Sequence, residues 1–383
     1  MFFYCTLFII VSFLFFCALK SKGILQLCLE SMAIFIPCFF AAVRDETIGI
    51  DMHVYGISNF EWAECHSLAD TINVLSLGSE QQPLGYVILV WIDAALFHSL
   101  QIHLFILQLL TILPIYYVMK RLCHEYAWIG MFCYMTMLYP VSFNLMKQML
   151  AVGICSLSLI PCLKHQYKKY FVIIAGSTLL LHATCIVCLL FLPIVHFMKE
   201  GENLQQLKRL ITFTGLLAAA FLVIFTGKKL LPILATLKTS YAWSMQHQGN
   251  NGLSPFWMLY LGICLVQLLL YASTNNSNNK LDSAQYLLTE KNDSYIYTLF
   301  ALTLTAFLCQ QLSGIAGNWY RISYFFLVFW GALTANLYKK ERYLLNKIIL
   351  IFNLCIMLYA FYKLEFVNYG DGIKPYSSQI LGI

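Results

Sequence analysis

Four small polar clusters interrupt an otherwise apolar chain, and they hold the residues whose types suit chemistry. They are Arg44-Asp45-Glu46-Thr47-Ile48-Gly49-Ile50-Asp51 running on to Tyr55, Asn144-Leu145-Met146-Lys147-Gln148, Leu181-His182-Ala183, and Asn318-Trp319-Tyr320-Arg321. Arg44, Lys147 and Arg321 give three of the clusters a cation, and Asp51 adds a carboxylate beside one of them. Charged groups at the edge of hydrocarbon are costly unless something pairs or uses them. The combination suits an anionic substrate presented from lipid, with a diphosphate as the first candidate.

Each residue also has a plainer explanation. Arg44 ends an apolar run, where arginine commonly snorkels to water as an anchor. It also opens the pattern R-x4-G-x-D-x3-Y, in which Gly49 permits a tight backbone path beside Asp51 and Tyr55. Lys147 begins a run beside Asn144 and Gln148, as an end anchor or as part of a site. His182 has only Thr178 and Thr184 as polar neighbours, so it is either a hydrogen-bonded core histidine or a site residue. Arg321 sits deeper in its run than snorkelling requires, crowded by Asn318 and Tyr320. Glu30 and Asp93 also interrupt apolar runs; Glu30 is placed to reach water, and Asp93 to pair with an Arg or Lys. Cys185 and Cys188 form a C-x-x-C one turn after His182, which fits small apolar packing residues better than a metal site short of ligands.

Composition demands a membrane around these clusters. The sequence is 60% hydrophobic and 11% charged, where a soluble domain carries about 25% charged residues. Apolar runs of about 17–25 residues, the length of a membrane-crossing helix, recur from end to end. The expectation is an all-α, polytopic transmembrane helical bundle of about 10–12 spans with short re-entrant helices. It would form a single integral membrane domain over residues 1–383. Spans are read near 2–19, 24–43, 104–119, 126–142, 144–163, 209–226, 255–273, 294–313, 317–338 and 344–363. The net charge of +6 resides in short basic clusters between spans, the signature of cytoplasmic loops rather than of nucleic-acid binding. That rule puts both termini outside. Of the 14 cysteines, all but Cys65 lie in or beside apolar segments, so no disulfide framework is expected. The apolar N-terminus lacks a basic leader and a small-residue cleavage site, and reads as a first span.

Two stretches fit this scheme awkwardly. Residues 170–198 begin and end at basic clusters, yet at about 1.5 Å per residue they are too few for two crossings. Two short helices meeting at a tip near His182 satisfy the requirement. Residues 84–119 fit as one full span at 104–119 plus a re-entrant or interfacial piece at 84–100. Broken backbone at membrane depth needs protein or a watery cavity around it, so both anomalies suggest a polar cavity open to the outside. The acidic stretch 44–83 reads as an outer loop, its middle an interfacial helix with Phe60, Trp62 and Leu68 toward lipid. A second outer loop, 227–254, contains Trp243 and His247 and is either a mobile lid or a connector; 274–293 is a polar cytoplasmic loop.

The order and spacing of several motifs carry a resemblance. Arg44…Gly49-x-Asp51-x3-Tyr55 is followed by Gln82-Pro83-x-Gly85-Tyr86, Asn144-x-x-Lys147-Gln148-x-x-Ala151, Leu181-His182, Arg321-x-x-Tyr324-Phe325 and Pro375-Tyr376. Over most of its length the chain resembles the EpsG family of bacterial exopolysaccharide proteins, related to the Wzy-type polysaccharide polymerases. It departs from the family pattern in having Lys147 for the usual Arg, which keeps the charge but loses the fork that matches phosphate. It also has Gln82 for the usual Glu, so that position cannot supply a base.

The resemblance implies a polymerase at the periplasmic face of a bacterial inner membrane, moving a growing glycan from a polyprenyl diphosphate carrier to a lipid-linked repeat unit. In that setting Arg321, Arg44 and Lys147 would stabilise the departing diphosphate without a metal or other cofactor. Asp51 or His182 would take the proton of the attacking hydroxyl, with Asp51 favoured by position and His182 as its orienting partner. Tyr55, Glu80, Asn144, Gln148, Asn318 and Tyr324 would line the substrate, and Trp62, Trp243 and Trp319 are candidates for stacking on sugars. Implied partners are the lipid-linked oligosaccharide, the bilayer, a chain-length regulator and a flippase. Competing readings keep the fold: another polyprenyl-phosphate-dependent glycosyltransferase or ligase, or a transporter of lipid-linked sugar. Such transporters usually show two similar halves, and none is visible here.

Overall fold

The computed structural model describes residues 1–78, 81–198, 215, 262, 295–310, 312, 319–339, 344–368, 371–373 and 375–383. Glu80 and Asn318, together with nearly all of the segments read at 209–226, 227–254, 255–273 and 274–293, lie outside these residues. The described elements are all helical, without a strand among them. Five helical stretches are long and apolar enough to cross a membrane: Phe2–Lys20, Gly23–Ala42, Leu100–Met137, Met146–Leu163 and Lys347–Val367. The protein is an all-α polytopic membrane protein. Its chain groups into two compact units, Met1–Cys188 with Leu354–Ile383, and Leu189–Asn353.

In the first unit α1 (Phe2–Lys20) and α2 (Gly23–Ala42) form an antiparallel pair, with α2 packed on α6 (Leu100–Cys123). Pro37 and Pro114 lie inside α2 and α6, as transmembrane helices tolerate when neighbours satisfy the freed carbonyl. Tyr139 ties a later helix to this part of α2, donating its hydroxyl to Pro37 O at 2.8 Å. One end of the unit is held by ion pairs, Lys20–Glu125 at 2.9 Å and Lys120–Glu30 at 2.6 Å. Glu30 is thus paired with Lys120.

The 44–83 stretch is helical in short pieces: a π-helical turn Met52–Gly56, α3 (Ile57–Cys65), α4 (Leu68–Thr71) and a second π turn Ile72–Ser76. The expectation that Phe60 faces lipid is overturned. α3 packs on α5 (Leu84–Phe97), and Phe60 is buried among Tyr86, Leu104 and Leu107. α5 ends at His98 in a left-handed conformation, φ 48°, and Ser99 then caps α6 by accepting the Ile102 N–H. That tight reversal resolves the awkward 84–119 stretch into two helices.

Residues 126–163, read as two spans, divide near the expected boundary and are further broken into α7 (Ala127–Met137), α8 (Tyr139–Asn144), α9 (Met146–Ser156) and α10 (Leu159–Leu163), the last two making one stretch long enough to cross a membrane. Pro140 and Pro161 lack the N–H that a continuous helix would use, and Leu145 leaves helical geometry at ψ 53°. The second break puts Asn144 at the end of α8 and Lys147 at the start of α9. α11 (Tyr167–Leu180) stops at Leu181–His182, and a 3-10 segment, Ala183–Leu190, continues the chain. This is the interruption near His182 that the chain length demands.

The second unit contains α12 (Phe191–Met198), α13 (Ile296–Gln310) and α14 (Tyr324–Lys339), with α13 against both others. Phe191 meets the edges of Phe326 and Phe329, at 5.7 and 5.4 Å between ring centroids. α15 (Leu344–Phe361) leads into a third π turn, Tyr362–Val367.

Gly49 is the tightest backbone approach in the first unit. Its φ is +93°, and a Cβ there would collide with the Phe143 carbonyl oxygen. Gly49→Ala therefore combines a strained φ, which costs about 1–3 kcal/mol, with a clash against backbone, and should lower the unfolding midpoint in detergent. Gly176→Ala is the control. A Cβ at Gly176 in α11 meets nothing within 4 Å, and the gain in helix propensity, roughly 0.5–1 kcal/mol, should leave that midpoint unchanged or raised.

Candidate functional site

The chain leaves α2 at Val43 and must turn back within a few residues to reach the π turn at Met52. Arg44 makes this possible from inside. Its guanidinium donates to Ala41 O, to Ile48 O at 3.3 Å and to Phe143 O at 3.3 Å, and lies 4.6 Å from the centre of the Phe143 ring. The side chain is 6% exposed, and burial pushes its pKa down to about 10, so it stays charged at neutral pH. Arg44 was expected to face substrate as a catalytic residue. Its described donors instead close carbonyls left open at the ends of α2 and α8 and in the turn after α2.

The C-terminal segment laces the same turn from the other side. Asp45 N–H donates to Ser377 O and Gly49 N–H to Gly372 O, at 3.0 and 3.2 Å. Gln379 N–H donates to the Asp45 carboxylate at 2.7 Å, and the Ser378 hydroxyl to Val43 O. The Tyr376 hydroxyl donates to Phe40 O at 2.9 Å, and burial raises this phenol above its ordinary pKa.

On this frame sits a chain of side-chain contacts. Asn144 Oδ1 accepts the Asp51 N–H at 3.0 Å, while its Nδ2 donates to Asp371 Oδ1 at 2.9 Å. The Tyr55 hydroxyl donates to Asp51 Oδ2 at 2.6 Å. The Lys147 ammonium lies 3.4 Å above the centre of the Tyr55 ring and 5.6 Å from that of Tyr86, and donates to Gln82 Oε1. Tyr55 thus touches the carboxylate with its hydroxyl and the cation with its π face, a favourable cation–π geometry. Asp51 and Lys147 are both half-exposed, whereas Tyr55, Gln82, Asn144 and Gln148 are buried.

His182 Nδ1 lies 2.6 Å from the Thr184 hydroxyl and 3.3 Å from the Thr184 N–H, which donates to it. The preceding Leu181 packs against the cluster that contains Tyr55, Tyr86 and Met146. Cys185 and Cys188 are buried, with hydrogen bonds to the Cys155 thiol. Asp93 pairs not with a lysine or arginine but with a histidine. His103 Nδ1 lies 2.7 Å from Asp93 Oδ2, both residues are 2% exposed, and the imidazole is 5.7 Å from the Phe60 ring. In the second unit, Arg321 lies half-buried in the 3-10 turn Trp319–Ser323. Buried Tyr324 follows it and meets Tyr320 edge-on at 5.9 Å. Gln310 donates to Ser323 Oγ at 2.7 Å and ties this turn to α13.

Comparison with protein families matches residues 27–378 to the EpsG family. The chain belongs to the EpsG family. No curated protein and no solved structure matches it. The match runs from α2 to Ser378 and so includes the C-terminal segment that laces the site. Among the residues singled out in this EpsG sequence, the first unit brings together Arg44, Asp51, Tyr55, Asn144 and Lys147. Gln148 is adjacent in the chain.

Sequence reasoning missed Asp371 and Glu365. Both are buried, and Glu365 Oε2 accepts the Asp371 N–H at 3.2 Å. One signal was present: in the sequence a carboxylate stands between two glycines, Gly370-Asp371-Gly372, just past the last apolar run. His103 was also missed, because a histidine near the start of an apolar helix carries no pattern.

The Asp93–His103 bond can be tested without an activity assay. Leaving one buried polar partner unsatisfied costs about 1–3 kcal/mol. Asp93→Leu or His103→Leu alone should lower the detergent unfolding midpoint of this EpsG protein. Replacing both with leucine should recover part of the loss, which thermal unfolding of all three variants reads directly.

Proposed function

We propose that this protein is a polysaccharide polymerase that moves a growing glycan from a polyprenyl diphosphate carrier to a hydroxyl of a second lipid-linked repeat unit. Membership of the EpsG family supports the reaction class. The observation that carries the chemistry is the joining of Asp51 and Lys147 through Tyr55 at one end of the first unit. A cation suited to diphosphate and a carboxylate suited to a hydroxyl proton are then held a single side chain apart.

In this reading the bond from the sugar anomeric carbon to the diphosphate oxygen breaks, and a new bond forms to the acceptor oxygen. Lys147 stabilises the negative charge gathering on the leaving diphosphate, and Arg321 is the second cation proposed for it. Asp51 takes the acceptor proton, with Tyr55 holding the carboxylate in place. Arg44 acts at one remove, by shaping the turn that presents Asp51. His182 remains the proposed orienting partner of Asp51, while Tyr324, Gln148, Glu80 and Asn318 remain proposed substrate contacts. The reading places the site at the periplasmic face of a bacterial inner membrane, in keeping with the bacterial family and the charge distribution of the loops.

Deletion in the host tests the reaction class: single lipid-linked repeat units should accumulate at the expense of long glycan. Unchanged chain lengths would reject the polymerase reading. Lys147→Met should reduce polymer about 10- to 100-fold, the range expected when one charge-assisted contact is lost. Lys147→Arg should remain active, because a guanidinium keeps both the charge and the stacking on Tyr55. Arg321→Ala should abolish polymer while the protein stays in the membrane, as gel analysis of glycan and of membrane fractions would show.

A further inference from the structure

Asp371 lies outside every motif that drew attention to this chain, yet it makes the contact on which the Asp51 backbone depends. An asparagine amide can be placed either way round, and its neighbours decide which way is satisfied. A backbone N–H only donates, and a carboxyl oxygen without a proton only accepts. With Asp371 Oδ1 at 2.9 Å on one side and the Asp51 N–H at 3.0 Å on the other, a single arrangement meets both demands. Nδ2 faces Asp371, and Oδ1 faces Asp51.

Asp371 is itself held. Its N–H donates to Glu365 Oε2 at 3.2 Å, from the π turn that ends the last helix. The next residue, Gly372, has φ +67°, and its carbonyl accepts the Gly49 N–H at 3.2 Å. Two successive residues of the C-terminal segment therefore reach both ends of the Gly49–Asp51 turn, one directly and one through Asn144. Asp371 is 7% exposed, so it is placed to act on the site without touching substrate.

We propose that Asp371 is a positioning residue of the transfer site, fixing the orientation of the Asn144 amide and through it the position of Asp51. The inference rests on the polymerase reading given above. Loss of the Asp371 acceptor frees the Asn144 amide to rotate, the Asp51 N–H loses its partner, and the carboxylate that receives the acceptor proton drifts. Small displacements of a catalytic group carry large rate penalties. The turnover number therefore falls, while affinity for the lipid-linked donor, which depends on cations such as Lys147, holds.

The test is a polarity swap, with purified protein in liposomes and lipid-linked repeat units as substrate. Asp371→Leu should lower kcat about tenfold or more with KM for the donor little changed. Asp371→Asn retains an acceptor oxygen and should stay within about threefold of the wild type. Asn144→Asp sets two carboxylates against each other and should be at least as impaired as Asp371→Leu. The double variant Asn144→Asp/Asp371→Asn restores a donor facing an acceptor, with an oxygen left for the Asp51 N–H. It should recover most of the rate lost in Asn144→Asp.

Full activity in Asp371→Leu would overturn the proposal. So would a folded double variant no better than Asn144→Asp alone, folding being judged by size-exclusion profile and unfolding midpoint. If the double variant does not fold, the order of Asp371→Asn above Asp371→Leu decides, and its absence rejects the proposal. A wild-type protein that extends no glycan in this assay contradicts the polymerase reading itself, a different outcome from an active wild type with no rescue.

Discussion

A carboxamide offers a donor on one side and an acceptor on the other, and in Asn144 each side is claimed by a different stretch of chain. Asp51 approaches from the turn after the second helix, Asp371 from the segment after the last one, and Asn144 itself stands at a helix break between them. A buried amide with either side unmatched costs roughly 1–3 kcal/mol. The three stretches therefore form as a set. Tyr55 and Lys147 are arranged by what this junction fixes, because Tyr55 hangs from the Asp51 carboxylate and the ammonium rests on the Tyr55 ring.

The same economy explains Arg44. A turn of irregular backbone near the membrane edge exposes carbonyls that hydrocarbon cannot satisfy. A buried guanidinium with several donors closes three of them together, from Ala41, Ile48 and Phe143. A lysine could not span those directions from a single point charge. At Lys147 the demand is different, since the cation sits half-exposed over an aromatic face. That difference accounts for an arginine at one position while lysine is accommodated at the other.

Much of the architecture was legible in the residues. The first two helices follow from long apolar runs, the second broken only by Gln26 and Glu30 among strongly polar residues, and the break at Leu181–His182 follows from chain length alone. Within residues 126–163 the break near Leu145 was legible in the polar cluster Asn144–Gln148, whereas those beside Pro140 and Pro161 were not, because their flanking residues all suit a membrane helix. Phe60 was read as facing lipid because it lies in an acidic outer loop whose middle reads as an interfacial helix, and the packing of α3 on α5 overrides that local signal. In the site, Asp51, Tyr55, Asn144 and Lys147 were legible through type and spacing. Asp371 was not, since its significance depends on a contact across more than half the sequence. Nor was the inward turn of Arg44, because an arginine at a helix end reads alike whether it faces water, substrate or carbonyls.

The central claim is that the phosphate groups of a polyprenyl carrier lie against the Tyr55–Lys147 pair. The most direct measurement is photo-crosslinking in liposomes, with a polyprenyl diphosphate bearing a photoreactive group next to the phosphates and the adducts mapped by mass spectrometry. The account predicts adducts on the peptides containing Tyr55, Gln82 or Met146-Lys147, displaced by unlabelled polyprenyl diphosphate but not by polyprenol. Adducts confined to other parts of the chain, or equal displacement by polyprenol, would contradict it.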